Sequence, residues 1–176
     1  MQKLTFKKLI GLFISLVLIL TLGVTTSIAQ QKIKVEGKHT FAYTNQDSIN
    51  VGDTEGHLIT LSAYEGFNVS TGNDKFMDGA MDVAMGFSDL VMGNGTDQGY
   101  GKFSLNGDVI FWKHQGNIAT TFSPEGMPVS TAEGSWTWTK GTGKYENIQG
   151  SGTYKGKFMS RSIFIVEWEG EYFIKK

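Results

Sequence analysis

From Val35 onward apolar residues recur at every second position, in short runs separated by Gly, Asn and Asp. Strands that bury one face and end in tight turns read this way. Val35, Gly37, His39, Phe41 and Tyr43 form one alternating set, His57, Ile59, Leu61 and Ala63 a second, and Met81, Val83, Met85 and Phe87 a third. The alternation predicts that each set is the buried face of its strand. Between Gly99 and His114 the pattern breaks at Asn106-Gly107, a pair that tolerates positive φ at both residues and predicts a type I′ hairpin. Further strands are predicted over 117–122, 134–139 with Trp136 and Trp138 on one face, 150–158 and 162–173. Helical periodicity is scarce, and the count from Ile33 reaches about eight or nine strands, the range in which a sheet closes on itself. The expected fold class is all-β, a closed antiparallel β-barrel of about eight strands.

Composition sharpens this expectation. The 23 glycines lie within strands as well as turns, and are expected to mark bulges and bends of a coiled sheet. The two prolines, Pro124 and Pro128, fall in one predicted loop over 123–132, which is either a plain connector or part of a barrel mouth.

The first 29 residues read differently. Lys3, Lys7 and Lys8 precede an uncharged apolar run from Leu9 to Val24, and Ser27 and Ala29 flank Ile28, as in a signal peptide with a small-residue cleavage site. The run has 16 residues, short of the roughly 18 to 20 that span a bilayer, so no stable membrane insertion is expected after cleavage. Residues 1–29 are read as a signal peptide and 30–176 as one β-barrel domain. The mature part has 147 of the 176 residues, enough for one core. The leader carries three of the 16 basic residues and none of the 17 acidic ones, which leaves 13 against 17 and a net charge of −4. Such a surface offers no general attraction for nucleic acid or anionic lipid. Without cysteine there is neither a disulfide framework nor a lipidated terminus. The expectation is a bacterial exported protein, periplasmic or extracellular.

Little in the chain points to catalysis. His39, His57 and His114 are far apart in sequence and make no short-spaced metal pair, so no metal site is assigned. Asn73, Asp74, Asp78 and Asp82 form an acidic run without EF-hand spacing, read as solvated carboxylates rather than a calcium site. Gly141-Thr-Gly-Lys144 is followed by Tyr145, where a phosphate loop needs Ser or Thr. No Gly-x-Ser-x-Gly elbow is present. The aromatic residues are more informative. Trp112, Trp136, Trp138, Trp168, Tyr64, Phe87 and Phe164 lie in predicted strands, where they either line a ligand pocket or fill the barrel interior. Glu167, Glu169 and Glu171 share one face of the last strand and are expected outside. Turned inward, Glu167, or Glu65 at the end of the second strand, would be a carboxylate suited by desolvation to acid or base work. No catalytic residue is assigned.

Four segments in order carry a resemblance: Gly99-Tyr-Gly-Lys-Phe, Asn106-Gly-Asp-Val-Ile-Phe-Trp, Gly134-Ser-Trp-Thr-Trp-Thr-Lys-Gly-Thr-Gly-Lys-Tyr, and Ile148-Gln-Gly-Ser-Gly-Thr-Tyr. This stretch, about 99–158, resembles the allene oxide cyclase and dirigent-like barrel superfamily. The resemblance implies an eight-stranded antiparallel barrel, often a homo-oligomer, whose lumen holds a hydrophobic small molecule. It implies steering chemistry that needs neither a metal nor an organic cofactor. The chain departs from the plant cyclases in having no cysteine and no proline among its early strands. Fold and lumen therefore carry over, and no catalytic residue does. Three functions stand open: a barrel that binds an apolar small molecule, a cofactor-free cyclase or isomerase, and a packed barrel acting as an interaction module. A cavity separates the first two from the third, and a buried carboxylate or histidine beside it separates the second from the first.

Overall fold

The computed structural model describes residues 31–175. The predicted export segment, 1–29, lies outside the described residues. Eight strands follow in chain order: β1 (Ile33–Asn50), β2 (His57–Ser70), β3 (Met81–Val91), β4 (Asn94–Leu105), β5 (Asp108–Phe122), β6 (Pro128–Gly141), β7 (Ile148–Phe158) and β8 (Ile163–Ile174). Each pairs antiparallel with its chain neighbours, and β8 pairs with β1 to close the barrel. Closure leaves no strand at the edge of an open sheet. Asn106 and Gly107 both take positive φ, +52° and +89°, as a type I′ hairpin requires. The strand expected over 117–122 is the continuation of β5 through Gly116, and the loop expected over 123–132 shrinks to 123–127 because β6 begins at Pro128.

Two of the expected buried faces are reversed. On β1 the set beginning Val35 points inward. On β2 the inward residues are Thr60, Ser62, Tyr64, Asn68 and Ser70, and on β3 they are Asp82, Ala84, Gly86 and Ser88. Leu61, Met81, Val83, Met85 and Phe87 therefore face outward, with Met85 68% exposed. Alternation reveals two unlike faces but not which one is inside. Here the interior of β2 and β3 must be small or hydrogen-bonding, because rings from other strands fill the space in front of them.

Those rings also explain the glycines, which do not mark bulges. The two register shifts lie at Tyr43/Asn45 and Phe111/Trp112. Instead an inward ring commonly stands opposite a glycine on the adjacent strand: Trp168 opposite Gly37, Trp112 opposite Gly101, His114 opposite Gly99, Trp136 opposite Gly152. A Cβ at Gly37 would fall 2.7 Å from the Trp168 ring and one at Gly101 2.3 Å from the Trp112 ring. The ring lies flat across the neighbouring strand only because no side chain is there.

The barrel has one sealed and one open end. At the sealed end the β2–β3 loop, 71–80, folds across the barrel and buries Phe76, Met77 and Ala80. The Phe76 ring packs on Trp138, Tyr145, Trp168 and Tyr172 at centroid distances of 4.9 to 6.2 Å. Asn68, fully buried, fixes this plug. Its Nδ2 donates to the carbonyls of Phe76 and Met77 at 3.0 and 2.9 Å, and its Oδ1 accepts the Trp168 indole N–H at 3.2 Å. The opposite end carries the short β1–β2, β3–β4, β5–β6 and β7–β8 turns and, among the described residues, has no such plug.

Candidate functional site

Above the plug the lumen encloses a cavity of about 670 Å³ that runs toward the unplugged end, where Gly93, Met127, Pro128 and Met159–Arg161 line it. Trp112, Trp136, Trp138, Trp168, Tyr64 and Phe164 all line this cavity. Phe87 does not: it lies on the outer face of β3 between inward Gly86 and Ser88. Glu167 is outside and faces Lys38 at 3.5 Å, and Glu65 is exposed. Neither is a lumenal carboxylate.

The cavity has two unlike walls. Phe41, Phe158, Phe164, Trp136 and Trp168 supply an aromatic side from β1, β6, β7 and β8. Thr60, Ser62, Ser88, Asp97, His114 and Thr120 supply a polar side from β2 to β5. Strand position explains the division, since the inward faces of β2 and β3 are the small and polar ones.

Two histidine–aspartate couples occupy the lumen. His114 Nε2 stands 2.9 Å from Asp97 Oδ2, and both residues line the cavity. Deeper, His39 Nδ1 stands 2.9 Å from Asp82 Oδ2, while Trp112 Nε1 donates to Asp82 Oδ1 at 3.2 Å. Asp82 is 0% exposed. Burial raises its pKa, opposed in part by the His39 ring and the Trp112 N–H. Asp82 thus leaves the acidic run in which it was grouped. Asp74 and Asp78 stay exposed and accept backbone N–H groups of Phe76 and Ser70 in the plug loop.

The lumenal phenols keep their protons. Burial pushes Tyr43 up to about 12, and it raises Tyr64 and Tyr154 as well, with the negative charge of Asp97 adding to each. Several buried polar atoms have no partner among the described residues: His39 Nε2, His114 Nδ1, Trp138 Nε1 and the Tyr154 hydroxyl. The third histidine lies outside the lumen, bridging Asp53 and Asp89 through Nδ1 and Nε2 at 2.5 and 2.8 Å. Among the described residues, no three His, Asp or Glu side chains are grouped to hold a metal ion.

Sequence reasoning left out Asp97, Asp82 and His114 as lumenal groups. His114 was within reach, because it lies two residues beyond Trp112 on one strand and so shares its face. Asp97 follows by the same step from Gly99, Gly101 and Phe103 on β4.

No family model matches the chain, and no curated protein matches it in sequence. Among solved structures it is similar to that of a pterocarpan synthase dirigent protein, with 12% sequence identity and a TM-score of 0.46, over 87% of this chain and 97% of that one. A likeness this distant assigns no residue and no activity here.

Proposed function

We propose that the protein takes up an apolar small molecule in its lumen and acts outside the cytoplasm. The observation that carries this reading is the cavity of about 670 Å³ faced with aromatic rings, a volume within the usual range of small-molecule sites. A barrel whose work lay only on its surface would gain stability by filling that space. The outer faces of β2, β3 and β4 join Leu61, Phe67, Met81, Met85 and Tyr100 into an exposed apolar area, which supports self-association as part of the same proposal.

Native mass spectrometry of the exported protein tests this, because it reports bound compounds and subunit number in one spectrum. We expect a non-covalent adduct of an apolar molecule that disappears in Ser88→Trp, whose added indole would occupy the cavity. A wild-type protein that carries no adduct and also ignores an apolar fluorescent probe would sink the proposal.

A second reading has its own support. The His–Asp couples place ionisable groups beside an apolar cavity, as a cofactor-free isomerase or cyclase requires. On this reading the bound compound is released as an isomer of equal mass and different chromatographic retention. Recovery of the unchanged compound after prolonged incubation would leave the binding barrel alone.

A further inference from the structure

The polar wall of the lumen presents a carboxylate that no cation balances among the described residues. Asp97 lines the cavity from an inward position on β4, and its side chain is 21% exposed there. Its Oδ2 is taken by His114 Nε2 at 2.9 Å. Its Oδ1 has no hydrogen-bond partner among the described residues, yet it is not one of the fully buried atoms that lack a partner. That oxygen therefore opens on the cavity.

Strand register explains why the carboxylate stands clear. Directly opposite Asp97 are Ser88 on β3 and Gly116 on β5, and the next inward positions along β4 are Gly95 and Gly99. None of the four has a side chain larger than a hydroxymethyl group. The Tyr154 ring lies across Gly116, where a Cβ would fall 2.5 Å from its hydroxyl oxygen. Tyr43, Tyr64 and Tyr154 all line the cavity, and the charge of Asp97 acts on each of their phenols.

The protein does not neutralise this charge. Among the described residues the one ionisable partner of Asp97 is His114. The Nδ1 of that ring is buried with nothing to answer a second N–H, and an unanswered buried donor on a charged ring is costly. His114 thus gives Asp97 one hydrogen bond and no charge. Arg161 is the only Lys or Arg along the cavity, and it is exposed at the mouth. Carboxylates withdrawn from bulk water are ordinarily paired.

We propose that Asp97 is the recognition group for an amine cation on an otherwise apolar ligand. The ammonium donates to Oδ1 and balances the carboxylate, and the neighbouring tyrosine rings add the attraction of an aromatic ring for a cation. The carbon frame lies against Phe164, Trp136 and Trp168. A neutral alcohol supplies a hydrogen bond but leaves the charge unbalanced, and a carboxylate ligand is repelled. This inference rests on the lumen-binding reading above and adds to it the charged group that the ligand carries.

The test uses two fluorescent probes of one carbon frame, 1-pyrenemethylamine and 1-pyrenemethanol, titrated into the wild-type protein, Asp97→Asn and Glu167→Gln. Comparing the ratio of the two dissociation constants between proteins cancels the difference in probe solubility. Glu167→Gln removes an outer carboxylate and so reports general attraction of the amine to an acidic protein. We expect the wild-type protein to prefer the amine, and this preference to fall about tenfold or more in Asp97→Asn, the loss of one charge-assisted hydrogen bond. In Glu167→Gln it is retained. Asp97→Ala replaces the asparagine variant if that one does not fold. If pyrenemethanol binds but the wild-type protein does not prefer the amine, or the ratio is unchanged in Asp97→Asn, or it falls equally in Glu167→Gln, the amine subsite is wrong and the lumen-binding reading stands. If neither pyrene binds the wild-type protein, both fall together.

Discussion

At the sealed end of the barrel a ten-residue loop, 71–80, turns inward and buries its own side chains; at the open end the turns at 51–56, 92–93, 123–127 and 159–162 stay outside and leave the cavity reachable. The same eight strands support both. The plug is held by a buried amide, Asn68, which answers the loop's carbonyls. At the open end, Met127 is 64% exposed and Met159 57%. A barrel that keeps one end for packing and the other for access can hold a cavity without losing its core, and this predicts where the chain tolerates change.

The comparison is most directly broken at Phe76. Phe76→Ala removes a ring packed on four others and should cost about 4 kcal/mol, lowering the calorimetric midpoint by roughly 10 °C. Next comes Asn68→Leu, which keeps volume but strands the Phe76 carbonyl and the Trp168 indole N–H, while the Met77 carbonyl keeps only its bond from the Ala80 N–H. A loss of about 3 kcal/mol in urea unfolding is expected, and a loss under 1 kcal/mol would show that the amide is not what holds the plug.

A smaller, pH-dependent effect concerns Asp82. Burial raises its carboxyl above the ordinary value of 3.8. A group raised on folding contributes stability that is full below its unfolded pKa and fades as pH rises through its folded pKa. Asp82→Asn cannot titrate and keeps an acceptor for Trp112. Its stability relative to wild type should therefore climb with pH from about 4 upward. A difference that stays constant between pH 3 and pH 8 would contradict this account. Smallest of all is Met127→Ala at the open end, expected within about 0.5 kcal/mol of wild type. If its cost matched that of Phe76→Ala, the two ends would not differ as described.

Much of the fold was legible because its signals are local. Asn106-Gly107 carries its own backbone requirement, and strand alternation is visible without knowing what surrounds it. The inside of β2 and β3 was not legible, because Leu61, Val83 and Met85 on the outer face are more apolar than Ser62, Ala84 and Gly86 opposite them. Hydrophobicity there points away from the lumen. The identity of the inner face depends on Trp112 and Trp168 reaching across from other strands, which no local window contains. The polar half of the site was hidden for the same reason. Asp82 was grouped with Asp74 and Asp78 by nearness in sequence, although the chain enters the barrel between Asp78 and Asp82.

The pairing of rings with glycines has a genetic consequence. Every glycine codon becomes an alanine codon by one nucleotide change, and an alanine at Gly101 or Gly37 would place a methyl group within 3 Å of an indole. The indole would have to tilt into the lumen, and the cavity would change shape without any alteration to a residue that lines it as a side chain. Mutation at these silent-looking positions gives the barrel a short evolutionary route from one cavity shape to another.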